Sequence, residues 1–143
     1  MANERVLLVD DEVEFVEALS MRLETRDVHV EVANSGPEAI EKAEKTRFDA
    51  IVLDLAMPGM DGIETLRRLR DSHPEVQVIL LTGRATLQKG VEAMKLGAMD
   101  FLEKPVSIDL LMEKISTAKS KMDEASEKRT KALISDILKT RGW

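Results

Sequence analysis

The stretch AIVLDLAMPGMDG, Ala50 to Gly62, decides how this chain is read. Ala50 to Leu53 is a short apolar run, and it ends on a carboxylate, Asp54. A Met-Pro-Gly turn follows at residues 57–59, and a helix is expected to begin near Asp61 and Gly62. A run of this length between turn signals suits a strand buried on both faces. One acid therefore stands at the tip of a buried strand, on a tight loop, where a phosphoryl acceptor could stand.

Working outward, the same pattern recurs. Arg5 to Val9 is an apolar run followed by Asp10, Asp11 and Glu12, and Glu12 to Thr25 reads as a helix with Val13, Val16, Leu19 and Leu23 at helical spacing. His29 to Ala33 reads as a strand. Ser35 is a candidate cap and Pro37 suits the first turn of a helix running to about Thr46. Gly62 to Ser72 is helical and is stopped by His73-Pro74, because a residue before proline avoids the helical region. Gln77 to Leu81 is the fourth strand. Thr86 to Leu96 is a helix carrying Leu87, Val91 and Met94, stopped by Gly97. Met99 to Glu103 is the fifth strand, and Ser107 caps a last helix reaching at least Ala118. Five strands alternating with five helices imply an α/β fold, with a parallel sheet covered on both faces.

The polar residues fall at matching places. Asp10 and Asp11 follow the first strand, Asp54 closes the third, Thr82 follows the fourth and Lys104 the fifth. Parallel strands carry all these ends to one edge, where ligands bind in open α/β sheets. Carboxylates at ~4 Å repel by roughly 4 kcal/mol per pair at an effective dielectric of ~20. Protonation or a cation must relieve that, and hard oxygen donors with room for water and phosphate suit Mg²⁺. Asp54 is the candidate nucleophile. Lys104 would neutralise phosphoryl oxygens, and Thr82 would hydrogen-bond one of them.

The segments LLVDDE, VLDLAMPGMDG, LLTGRA and MDFLEKP together resemble the receiver domain of two-component response regulators, over about residues 4 to 120. The resemblance implies a doubly wound, flavodoxin-like (βα)5 fold with a five-stranded parallel sheet in the order 2-1-3-4-5. It implies a phosphorelay signalling module that takes phosphate onto Asp54 from a histidine kinase or a histidine phosphotransfer protein. Asp11 matches the family's direct Mg²⁺ ligand, Asp10 the water-mediated one, and Ala56 the backbone carbonyl ligand. Thr82 and Phe101 match the switch pair, and the surface of the fourth helix, fifth strand and fifth helix is read by a downstream partner. Lys104-Pro105 matches a peptide bond that is usually cis. Phe101 replaces the commoner tyrosine and is equally readable as core packing. Ala56 and Arg84 occupy the positions that tune phosphate lifetime: Ala56 leaves attacking water unblocked, whereas Arg84 could slow release.

Composition bounds the reading. Hydrophobic residues make up 43% of the 143, enough for a core, and aromatics 3%, too few for base-stacking recognition. Net charge is −6, with −8 over residues 1–120 and +2 over 121–143, so direct nucleic-acid binding is not expected. There is no cysteine, no membrane-length apolar run and no signal-peptide pattern, and the expectation is a cytoplasmic protein. The division expected is a receiver domain over 1–120 and a helical extension or linker over 121–143. In the latter, Met122 and Ala125 prolong the spacing of Ile108, Leu111, Ile115 and Ala118, the polar run 126–131 breaks it, and ALISDIL resumes it. The tail reads as a frayed extension, as a linker, or as a helix forming a weak homodimer or docking a partner. Two other functions compete with the phosphoacceptor reading. One is a Mg²⁺-dependent small-molecule phosphohydrolase, disfavoured because Ala56 stands where such enzymes keep a second acid. The other is a scaffold that works unphosphorylated. The module is expected not to be an enzyme beyond its own phosphorylation and dephosphorylation.

Overall fold

A computed structural model describes residues 3–57, 62–83 and 87–140. In chain order it has β1 (Arg5–Val9), α1 (Val13–Glu24), β2 (His29–Ala33), α2 (Gly36–Lys45), β3 (Ala50–Asp54), α3 (Gly62–Ser72), β4 (Val78–Thr82), α4 (Leu87–Lys95), β5 (Asp100–Glu103) and α5 (Ile108–Thr140). All strand pairs are parallel, in the order β2-β1-β3-β4-β5. The 57–59 turn is described only as far as Met57, and Arg84 and Thr86 lie outside the described residues.

The double winding follows from the period of two along each strand. Leu7, Val9, Ile51, Leu53, Val78 and Leu80 face one side and pack with Ala39, Leu66, Leu69 and Ala93 from α2, α3 and α4. Val6, Leu8, Ala50, Val52, Ile79, Leu81 and Leu102 face the other and pack with Leu19 and Leu23 of α1 and Leu111, Ile115 and Ala118 of α5. Each such side chain contributes roughly 1.5–3 kcal/mol when fully buried. β3 and β4 are buried along their whole length, which explains why their sequences are apolar up to the last residue, Asp54 and Thr82.

The local stop and start signals operate as expected. The Ser35 hydroxyl accepts from the Glu38 N–H at 3.2 Å, and the Ser107 hydroxyl from the Leu110 N–H at 3.3 Å. α4 ends on Gly97 at φ +104°, where the Gly97 N–H reaches Met94 and the Ala98 N–H reaches Ala93, closing a Schellman turn. Lys104-Pro105 is cis.

Val13 and Val91 were placed on buried helix faces but are 53% and 54% exposed, because each lies at the rim of a helix whose inward arc is taken by other residues. On α4 that arc holds the small pair Gly90 and Ala93, which lets the helix approach β4: a Cβ on Gly90 would stand 3.3 Å from the Thr82 methyl. β4 starts at Val78 rather than Gln77 and includes Thr82. The polar run 126–131 interrupts the apolar stripe, as expected, and α5 continues through it to Thr140 on residues of good helix propensity.

α5 also grips the base of the domain beyond Ala118. Met122 is buried, Arg129 pairs with Glu75 at 3.0 Å, and Arg47 donates to the Ser126 hydroxyl at 2.8 Å. From Glu127 to Thr140 every residue is exposed.

α3 approaches β3 where Gly62 lies. A Cβ there would stand 2.5 Å from the Leu55 Cα and 2.8 Å from the Asp54 carbonyl oxygen, both backbone atoms that cannot swing aside. Gly62→Ala is therefore expected to lower unfolding free energy by about 1–3 kcal/mol, read as a fall in urea midpoint. An unchanged midpoint would show that the helix shifts freely.

Candidate functional site

The site is assembled by strand register. Val9 is opposite Leu53, Asp54 opposite Leu81, and Thr82 opposite Glu103. Asp10 and Asp54 therefore stand level at the carboxyl edge, where β1 lies between β2 and β3 and the winding reverses, with Thr82 one residue and Lys104 two residues beyond that level. The Lys104 N–H donates to the Thr82 carbonyl at 2.8 Å, which extends the ladder one step past β5 and anchors the lysine backbone.

Asp10, Asp54 and Thr82 are buried. The Asp10 carboxylate accepts from the Glu12 N–H at 3.0 Å, and the Asp54 carboxylate from the Ala56 N–H at 3.1 Å. These short loops hold each acid over the edge by its own backbone. The Lys104 ammonium sits 3.1 Å from Asp10, 3.3 Å from Glu12 and 3.7 Å from Asp54. It also lies over the Phe15 ring, 4.4 Å from the ring centroid. Among the described residues, oxygens of Asp10, Glu12 and Asp54 all lie within 4.8 Å of one another.

The structure thus brings together Asp10, Asp54 and Lys104, as expected, with Thr82 at the neighbouring strand end. It leaves Asp11 exposed and outside the converging group, whose third member is Glu12. Ala56 is exposed and contributes its N–H to Asp54. Thr82 donates to the Leu102 carbonyl at 3.5 Å, a long contact for a hydroxyl that little free energy would break. Phe101 is 37% exposed and belongs to neither core cluster, so it is not a packing residue of the core. Arg84 lies outside the described residues. Sequence reasoning missed Glu12 and Phe15. The acidic triplet gave no indication which of its members turns inward, and Phe15 lies off the apolar stripe read along α1.

Electrostatics agree with crowding. Burial pushes the Asp10 carboxyl up from 3.8 to about 6; the Glu12 N–H pulls it back, the Asp54 charge raises it, and Lys104 lowers it. Burial alone would lower the Lys104 ammonium, but its hydrogen bond to Asp10 and the charges of Asp54, Asp10 and Glu12 outweigh that and hold it above its ordinary value. Three acids share one base, so the pocket has unspent affinity for positive charge. In protein free of divalent ions, the Asp10 carboxyl is expected to titrate in carbon NMR with a midpoint of about 6. Lys104→Met, which removes the stabilising cation, should move that midpoint higher; a midpoint near 4 in the wild type would contradict the crowding.

A family model of the response regulator receiver domain matches residues 6–116. Response regulator MprA of Mycobacterium leprae is 37% identical over 125 residues, covering 86% of this chain and 55% of that protein. Transcriptional regulatory protein TrcR of Mycobacterium tuberculosis is 40% identical over 111 residues, covering 78% of this chain and 43% of that protein. The chain therefore spans about half the length of these relatives. Among solved structures, that of adenylate cyclase from Rhodopirellula baltica superposes with a TM-score of 0.83 at 33% identity, covering 90% of this chain and 96% of that one. By fold, by the residues at its carboxyl edge and by these matches, the chain belongs to the response regulator receiver domain family.

Proposed function

We propose that this chain is a phosphoacceptor signalling module in which Asp54 receives a phosphoryl group from a phosphohistidine on a histidine kinase or phosphotransfer protein. The observation that carries this reading is the meeting of Asp10, Glu12 and Asp54 around Lys104 at the switch point of the sheet. An Asp54 carboxylate oxygen forms a bond to phosphorus as the P–N bond of the donor breaks, and the departing imidazole takes up a proton. Lys104, already 3.7 Å from Asp54, balances charge on a phosphoryl oxygen. The Thr82 hydroxyl leaves its long contact with Leu102 and donates to another.

The donor set fits Mg²⁺: hard carboxylate oxygens, a buried acid raised to about 6 and an open side toward solvent. Asp10, Glu12 and Asp54 would hold it, with Asp11 and the Ala56 carbonyl assigned by resemblance. When bound it would neutralise phosphoryl charge during transfer.

Phosphorylation adds charge and acceptor oxygens at a buried point. Thr82 moving inward vacates space beside β5, and Phe101, exposed and unconstrained by a hydroxyl, follows. The α4-β5-α5 face then offers a different surface to a downstream protein. The acidic net charge of −6 disfavours nucleic acid as the direct partner of this segment. A cytoplasmic location is part of the same reading; among the described residues no helix is long and apolar enough to cross a membrane. Ala56 in place of a second acid leaves a phosphohydrolase mechanism without its general acid.

The tail offers a second surface. Leu133, Ile134, Ile137 and Leu138 are 60, 52, 46 and 39% exposed and lie together on one side of α5. Pairing with a second copy would cover them, giving a weak dimer. The surface differs from the Leu111–Leu138 span expected from sequence, since Leu111 to Met122 are occupied within the domain. The extension is accordingly better divided after Arg129 than at residue 120.

With acetyl phosphate and Mg²⁺, the wild type is expected to incorporate phosphate and Asp54→Asn none. Lys104→Met should slow incorporation on the order of 100-fold. Equal labelling of Asp54→Asn would place the acceptor elsewhere. Light scattering should give a concentration-dependent mass for the full chain and a monomer for a chain ending at residue 130; identical monomer masses would remove the dimer.

A further inference from the structure

We infer that Phe15 is a positioning residue for Lys104, holding its ammonium over the acidic pocket through the face of the ring. The inference rests on the reading of Asp54 as the acceptor, and it adds a residue that the motif spacing does not mark. Phe15 comes from α1, is half-buried and packs against the core on the α1/α5 side of the sheet. Its ring centroid lies 4.4 Å from the Lys104 Nζ, within the range of a cation–π attraction.

The need for such a contact follows from the charges. Among the described residues, the Lys104 ammonium is otherwise held by Asp10, Glu12 and Asp54. Those are the same oxygens that a divalent cation would occupy. A cation there competes for their charge and repels the ammonium, just when Lys104 must stay to meet a phosphoryl oxygen. Lysine has a flexible four-carbon stem and would otherwise swing to water. The ring supplies an attraction that carboxylates cannot withdraw. It bears no charge and cannot ligate a hard cation, so metal loading leaves it intact. Glu12, which is exposed, is the competing tether on the solvent side.

Phe15→Leu, which keeps an apolar side chain against the core, and Phe15→Tyr, which keeps the ring face, separate positioning from packing. Urea midpoints of both variants check that the fold is retained. In the metal-free wild type, the ε-methylene protons of Lys104 should resonate upfield of those of other lysines through the ring current, and should stay upfield on adding Mg²⁺. Phe15→Leu should lose that shift and take phosphate from acetyl phosphate about three- to fivefold more slowly, while Phe15→Tyr keeps both. Lys104 protons at ordinary positions in the wild type would overturn the inference. So would Phe15→Leu labelling at the wild-type rate, or Phe15→Tyr slowing as much as Phe15→Leu. Failure of the wild type to take phosphate would overturn the acceptor reading instead, and the NMR measurement judges Phe15 independently of it.

Discussion

The carboxyl edge of the sheet gathers negative charge that it cannot itself neutralise, and the rest of the structure is arranged around that constraint. Asp10 and Asp54 are buried at adjacent strand tips, each pinned by a backbone N–H of its own loop. Their mutual repulsion would be relieved if either swung to solvent, but the loops hold them. Lys104 reaches them from β5, two strands away from β3, because the ladder runs on from Thr82 to the Lys104 N–H. Register is therefore as important as residue identity. A slip of one residue in β3 would turn Asp54 to the opposite face and exchange the two core faces with it.

That charge balance is what makes the site responsive. A buried acid raised to about 6 beside an ammonium held above its ordinary value is a site with little positive charge to spare. Under the proposed function, an added phosphoryl group or cation would compete with Lys104 for the same carboxylates. The Thr82 hydroxyl is held to the Leu102 carbonyl by a long contact of 3.5 Å. At the opposite end of the sheet α5 meets the domain through the buried Met122, through Arg129 to Glu75 and through Arg47 to Ser126.

The same contrast separates what was legible in the sequence from what was not. The boundaries of β1, β2 and α3 were read to the residue, because apolar runs, proline and glycine act locally. The caps at Ser35 and Ser107 and the stop at Gly97 are likewise local chemistry. Val13 and Val91 were misread because helical spacing defines a stripe but not its edges, and the arc that is buried depends on which neighbouring element arrives. The polar run 126–131 breaks the apolar stripe of α5 but not its backbone, because a helix needs only propensity and tolerates a solvated face.

The sequence by itself determined the alternation of elements, the placing of Asp10, Asp54, Thr82 and Lys104 at strand ends, and hence the kind of chemistry they can perform. Those follow from short-range periodicity and from the rule that parallel strands end on one edge. Only the tertiary structure decided that Glu12 rather than Asp11 joins the converging acids, that Phe15 lies against Lys104, and that Met122 belongs to the core. Each of these is a distance between segments far apart in the chain or a choice between adjacent side chains. Such distances are set by how helices lie on the sheet, which no local pattern records.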